Sequence, residues 1–178
     1  MIDIIDNYKI AKFLEANGIS FLSIKPIKQD ASSRRYFRIN NNPNTLLMDS
    51  PSIDNNNYEF IKISEHLNAI DLSAPKIIKK DHINGLFLIE DFGNMTFNEA
   101  IKNNISEKML YKNAAQCLSK IHKSYIPKNI PIYNNKYLLA ELSIFTEWFF
   151  KEIDIELNNS AIIKWEKAWN KVLIEINK

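Results

Sequence analysis

With one cysteine, Cys117, the chain has no means of closing an intrachain disulfide or building a thiolate metal cluster. Its neighbours Ala114, Leu118 and Ile121 suggest a small buried residue. No stretch approaches the roughly 18 consecutive apolar residues that a membrane-spanning helix needs. The opening Met1-Ile-Asp-Ile-Ile-Asp6 carries acids and lacks the basic start and apolar run of a signal peptide, so a cytoplasmic protein is expected. Net charge is only +2, too little for a whole-protein field that would select nucleic acid or a membrane surface. Glycine is scarce, at three residues, while Ile, Lys and Asn are heavily used, a compositional bias that carries no function. What is present is ordinary for a globular protein: 46% hydrophobic and 25% charged residues. A chain of 178 residues suffices for one domain with a sizeable core, or for one lobe and part of another.

The hydrophobic pattern changes character along the chain. Residues 2–17 read as a helix, with Ile5, Ile10, Phe13 and Leu14 near one stripe and Gly18 placed to end it. From Ser20 to Pro51 the pattern is strand-like. Phe21 to Ile27, Tyr36 to Ile39 and Thr45 to Met48 are short apolar or alternating runs, separated by turns at 30–33 and 40–44. A helix over about 55–70 follows, carrying Phe60, Ile63, Leu67 and Ile70 at helical spacing. Two more strands, Lys76 to Lys80 and Leu86 to Glu90, flank a hairpin loop. Everything past Asn94 reads as helix, over about 96–103, 107–124, 134–152 and 159–177. In the last of these, Trp165, Trp169, Val172 and Ile176 form an apolar stripe that needs a partner surface. Strands gathered first and helices afterwards predict an α+β fold. A five-stranded antiparallel sheet with one helix inserted after its third strand is the arrangement of a protein-kinase-like small lobe. The later helices would begin a large lobe that the chain leaves incomplete. The expected division is 1–92 for the first lobe and 93–178 for the partial second.

All three arginines, Arg34, Arg35 and Arg38, fall within five residues, in a chain whose other twenty basic residues are lysines. Guanidinium offers a rigid fork of donors that matches phosphate oxygens, whereas ammonium is a point charge. The turn before them, Asp30-Ala31-Ser32-Ser33, can aim backbone N–H groups and hydroxyls at the same anion. The other reading is that these arginines pair with carboxylates on the strand faces. Alternation puts Arg34, Tyr36 and Arg38 on one face and Arg35 and Phe37 on the other.

Three stretches together resemble a known family. They are Asp30-Ala-Ser-Ser-Arg-Arg-Tyr-Phe-Arg38, Leu47-Met-Asp-Ser-Pro51 and Leu88-Ile-Glu-Asp-Phe-Gly93. They resemble a bacterial branch of the aminoglycoside phosphotransferase family, with the anomeric kinases of N-acetylmuramate and N-acetylglucosamine in cell-wall recycling the nearer likeness. Ser73-Ala-Pro75, Tyr133, Glu141-Leu142, Phe145 and Trp148 add weaker matches in the right order. The resemblance implies an ATP-dependent kinase with a small-molecule acceptor. Residues Asp30, Ala31, Ser32, Ser33, Arg34 and Arg35 would form the loop over the ATP phosphates. Glu90, Asp91 and Phe92 would be the hinge whose backbone meets the adenine edge. Met48 would stand on the third strand where many kinases place a phosphate-gripping lysine. Glu141 would face the acceptor substrate.

Asp91-Phe92-Gly93 also spells the protein-kinase triplet whose Asp binds magnesium. That triplet follows the catalytic loop, whereas this one directly follows the fifth predicted strand, so the hinge reading is taken. Phosphoryl transfer needs a residue to orient the acceptor hydroxyl and carboxylates to hold Mg2+. In the resembling family these come from a His-Gly-Asp stretch and later residues of the large lobe. None of His66, His82 and His122 begins such a stretch, and His66 and His82 read as exposed. Catalytic residues and magnesium ligands are therefore expected beyond this chain, in a missing large lobe or a complementing chain. A non-catalytic nucleotide-binding module and a defunct remnant of a kinase stand as the alternatives.

Overall fold

The computed structural model describes residues 4–28, 33–50, 57–128, 130 and 132–176. The chain forms two compact units, Met1–Lys128 and Asn129–Lys178. This division falls well past the expected boundary at 92/93. Helices α3 (Phe97–Lys102) and α4 (Glu107–Lys123) remain with the first unit. The reason is visible at the end of α4. Lys120 pairs with Asp71, and Ser124 and Tyr125 meet the ring of His66.

Helix α1 spans Ile4–Ala16 and stops at Gly18, whose φ of 72° suits a residue without Cβ. The Ile19 N–H turns back to the Leu14 carbonyl at 2.9 Å, closing the helix end. Ile10, Phe13 and Leu14 are buried as expected, and the side chain of Ile5 lies outside the described residues. The run Phe21 to Ile27 is not one strand. Ser20 accepts a hydrogen bond from the Leu22 N–H and starts a single helical turn, Phe21–Ser23, before strand β1, Ile24–Pro26.

Strands β2 (Arg35–Ile39), β3 (Thr45–Asp49), β4 (Ile77–Asp81) and β5 (Leu86–Glu90) complete an antiparallel sheet in the order β1-β2-β3-β5-β4. The five strands and the inserted helix α2, Asn57–Ala69, bear out the expected α+β arrangement. Because side chains alternate, the sheet has two apolar faces. Phe37, Ile39, Leu47, Leu86 and Leu88 pack with α1. Met48, Phe87 and Ile89 pack with Ile61 of α2. The central strands β3 and β5 are therefore covered on both sides and read as continuous apolar runs.

Helix α2 is seated by polar contacts at its first residue and at mid-length. The Ser50 hydroxyl donates to Asn57, and the Ser64 hydroxyl donates to the Pro75 carbonyl. These contacts turn the helix from its expected stripe: Ile61, Ser64 and His66 are buried, while Ile63 is exposed. His66 is thus buried rather than exposed, because Tyr125 covers it. His82 is half-buried, stacked on Tyr58 with centroids 5.0 Å apart. Cys117 is exposed, against expectation, because the described part of this chain places nothing over that face of α4.

The second unit comprises α5 (Asn135–Ile144), a π-helical turn over Phe145–Phe149, α6 (Phe150–Glu152) and α7 (Asn159–Ile176). In α7 the inward row is Trp165, Trp169 and Leu173, a strict i, i+4 series that leaves Val172 outside. No described helix is long and apolar enough to cross a membrane.

Candidate nucleotide site

The arginine cluster is split by the sheet. Arg35 shares its face with Phe37 and Ile39, the α1 side, and donates from Nε to Asp49 Oδ2 at 2.7 Å. The β2–β3 hairpin pairs Arg35 directly with Asp49, so the sequence held this contact once the hairpin register was known. Arg34 belongs to the other side. Its guanidinium lies over the ring of Phe60 on α2, 5.1 Å from the centroid, a cation–π contact. Arg38 goes a third way. From β2 it reaches past Leu46 of β3 to Asp91, just beyond β5, with Nε 2.8 Å from Oδ2 and Nη2 3.4 Å from Oδ1. Carboxylate pairing thus describes Arg35 and Arg38, and Arg34 and Arg35, both expected at the phosphates, occupy opposite faces as alternation requires. Asp30, Ala31 and Ser32 lie outside the described residues; Ser33 is exposed.

Met48 is on the third strand, as expected, but wholly buried among Ile61, Phe87 and Ile89. Expected among the nucleotide contacts, it presents no exposed surface in this packing. Where protein kinases set a lysine on this strand against a glutamate of the neighbouring helix, this chain has an apolar cluster. Arg34 is the cation on that side of the sheet that the structure sets against α2.

The segment after β5 is fastened on several sides. Glu90 N–H donates to the Lys76 carbonyl, and Lys76 N–H donates to Glu90 Oε2. Asp91 N–H donates to the Asn44 carbonyl at 3.0 Å. The Asp91 carboxylate accepts from the Gly93 N–H at 2.7 Å, shaping a turn in which Gly93 takes a φ of 77°. Phe92 is half exposed, and among the described residues its N–H has no acceptor. Asp91 is thus committed to Arg38 and to its own turn.

Burial pushes the Asp91 carboxyl up, but the Arg38 hydrogen bond, the Gly93 N–H and the Arg38 charge outweigh it and leave the pKa below the ordinary 3.8. The unfolded chain then binds more protons, so stability rises with pH across this window. Asp91 should contribute fully above pH 3.8 and fade as pH falls through its lower folded value. Acid titration followed by circular dichroism should show wild type losing more stability below about pH 4 than Asp91→Asn does.

Glu141 lies in the second unit, on the exposed side of α5. Tyr133 and Tyr137 stack beside it, 5.7 Å apart and 11° from parallel. Loss of solvent at its hydroxyl and the neighbouring Glu141 carboxylate raise the Tyr133 pKa above 10.0. This tyrosine pair is a feature the sequence reading noted only in part, through Tyr133. Among the described residues no cluster of three or more His, Cys, Asp or Glu is disposed to hold a metal ion.

No family model matches the sequence. Curated relatives do. The chain is 27% identical to an N-acetylmuramate/N-acetylglucosamine kinase of Pseudomonas aeruginosa, over 80% of this chain and 42% of that protein. It is 28% identical to the kinase of the same name from Caulobacter vibrioides, over 89% of this chain and 54% of that protein. The Pseudomonas putida counterpart is 26% identical, over 86% and 45%. The chain therefore spans about half the length of the curated relatives it matches. Among solved structures, an aminoglycoside phosphotransferase in ternary complex with streptomycin and ATP superposes with a TM-score of 0.58 at 13% identity, over 94% of this chain and 57% of that one. The fold is kinase-like.

Proposed function

We propose that this chain is the nucleotide-binding half of an ATP-dependent kinase whose acceptor is an amino sugar of the N-acetylmuramate or N-acetylglucosamine type. The observation that carries the nucleotide reading is the placement of Arg34 against α2, on the face that also holds Leu46, while the Phe92 N–H, just past β5, has no acceptor among the described residues. A base edge would take the Phe92 N–H, the half-buried Leu46 would meet the base face, and Arg34 with Ser33 would meet the phosphates. An anion of that charge outcompetes an aromatic ring for a guanidinium fork, so Arg34 would leave Phe60 on binding. ATP fits these residues. Magnesium, expected with the nucleotide, has no ligands assigned among the described residues, and no step is routed through it.

The acceptor assignment is supported by the shared name of the curated relatives. Proton transfer from the acceptor hydroxyl is assigned to the part of those relatives that this chain does not match. A cytoplasmic role in cell-wall recycling belongs to the same proposal.

Titration calorimetry on the chain should detect ATP, and Arg34→Ala should weaken it about tenfold, the cost of one charge-assisted contact. Unchanged affinity would remove Arg34 from the phosphate site. Transfer of phosphate from ATP to N-acetylmuramate or N-acetylglucosamine is the test of the acceptor. Nucleotide binding without transfer, by a protein that also holds the relatives' second half, would favour the non-catalytic module. No binding at all would favour the remnant.

A further inference from the structure

The geometry points to Arg38 as a positioning residue that clamps the hinge to strand β2, setting the Phe92 N–H for a nucleotide base. This inference rests on the nucleotide reading above and deepens it. Arg38 contributes two of its donors to the two oxygens of one carboxylate, the arrangement that fixes orientation as well as distance. The contact spans 53 positions of sequence and crosses β3, so it is a tertiary device, not a local turn. Its acceptor is well shielded: the Asp91 side chain is 4% exposed, against 34% for Arg38.

What Asp91 does with its remaining capacity defines the consequence. The oxygen that takes the weaker arginine contact, Oδ1, also accepts the Gly93 N–H. Phe92 lies between those two anchored residues, so its N–H is oriented by bonds on both sides of it. The Asp91 N–H is occupied by the Asn44 carbonyl, which leaves Phe92 as the next donor along the segment. Losing the guanidinium would leave a shielded carboxylate without its cation, and the turn would reorganise to hydrate it.

The clamp also joins the two ends of the proposed site. Arg34 immediately precedes β2 and Arg38 lies near the strand's far end, about 13 Å away at strand spacing. One rigid strand would thus carry the phosphate contact at its start and the base-positioning contact at its end.

The test compares ligands with and without a base. ADP and inorganic tripolyphosphate are titrated calorimetrically into wild type, Arg38→Met, Arg38→Lys and Asp91→Asn, with thermal melts of each. Arg38→Met should weaken ADP about tenfold, the loss of one oriented hydrogen bond, and leave tripolyphosphate unchanged. Arg38→Lys should fall between, since it keeps the charge and loses the fork. A folded Arg38→Met that binds ADP like wild type would overturn the clamp. An equal loss for both ligands would also overturn it, because that pattern reports general damage to the lobe. Should Arg38→Met fail to fold, the same comparison is read on Arg38→Lys, which keeps the charge without the fork, and on Asp91→Asn, which keeps one acceptor oxygen. Wild type that binds tripolyphosphate but not ADP would sink the base-positioning role alone. Wild type that binds neither would sink the nucleotide reading, and the clamp's role with it.

Discussion

Met48→Lys is expected to destabilise the first unit by about 3 kcal/mol or more, instead of supplying a phosphate grip. The lysine stem is close in length to methionine, so the failure would be electrostatic and not steric. Met48 has no exposed surface and is packed with Ile61, Phe87 and Ile89. An ammonium there would lose its water and find no partner. Asp49, the adjacent acid, sits on the opposite face with Arg35, and Glu59 and Glu65 of α2 are exposed. A lysine so placed would fold neutral, with its pKa depressed by burial. The unfolded state would then hold the extra proton, so the variant's stability should rise with pH where wild type's does not. Met48→Leu, which keeps volume and polarity, should cost under about 1.5 kcal/mol. Urea midpoints of the three proteins decide the matter. A Met48→Lys protein as stable as wild type would mean that this cluster opens to solvent or ligand.

Phe87→Ala should cost about 3–5 kcal/mol, a large share of the roughly 5–15 kcal/mol that holds a domain folded. The ring is wholly buried in β5, between Met48 across the β3 pairing and Lys80 across the β4 pairing. It also meets the edge of His82, with centroids 5.8 Å apart and rings 83° from parallel. His82 in turn lies on Tyr58 of α2. One aromatic ring therefore ties the core to the β4–β5 turn and to the start of the helix. Neighbouring side chains on a paired sheet have little freedom to collapse into the space, which is why the upper part of the range is expected. Thermal unfolding would measure it, and a loss below about 2 kcal/mol would show that α2 settles into the cavity.

Much of the first unit was readable in the residues because its signals are local. Gly18 ended α1, the turn at 40–44 set a hairpin, and the run Leu86 to Glu90 had the length and composition of a buried strand. The positions of the candidate residues were readable in pieces: Glu90 ends β5 and Phe92 lies just past it, as their order along the chain indicates. Roles that depended on which face a residue takes were misassigned where the face is set by a distant partner. Ile63 and Ile61 illustrate it: both suit a helix stripe, and the Ser64–Pro75 contact chose between them. Cys117 and His66 failed for the same reason, since burial of a helix residue depends on what another segment lays over it.

By itself the sequence determined the α+β class, the order of strands and helices, and the resemblance to curated amino-sugar kinases, because periodicity, turn chemistry and motif order are written along the chain. Only the tertiary structure gave each arginine its partner: the Phe60 ring for Arg34, Asp49 for Arg35 and Asp91 for Arg38. The physical reason is that a strand sends successive side chains to opposite faces. What awaits each side chain there depends on β5 lying beside β3, a pairing between residues about forty positions apart.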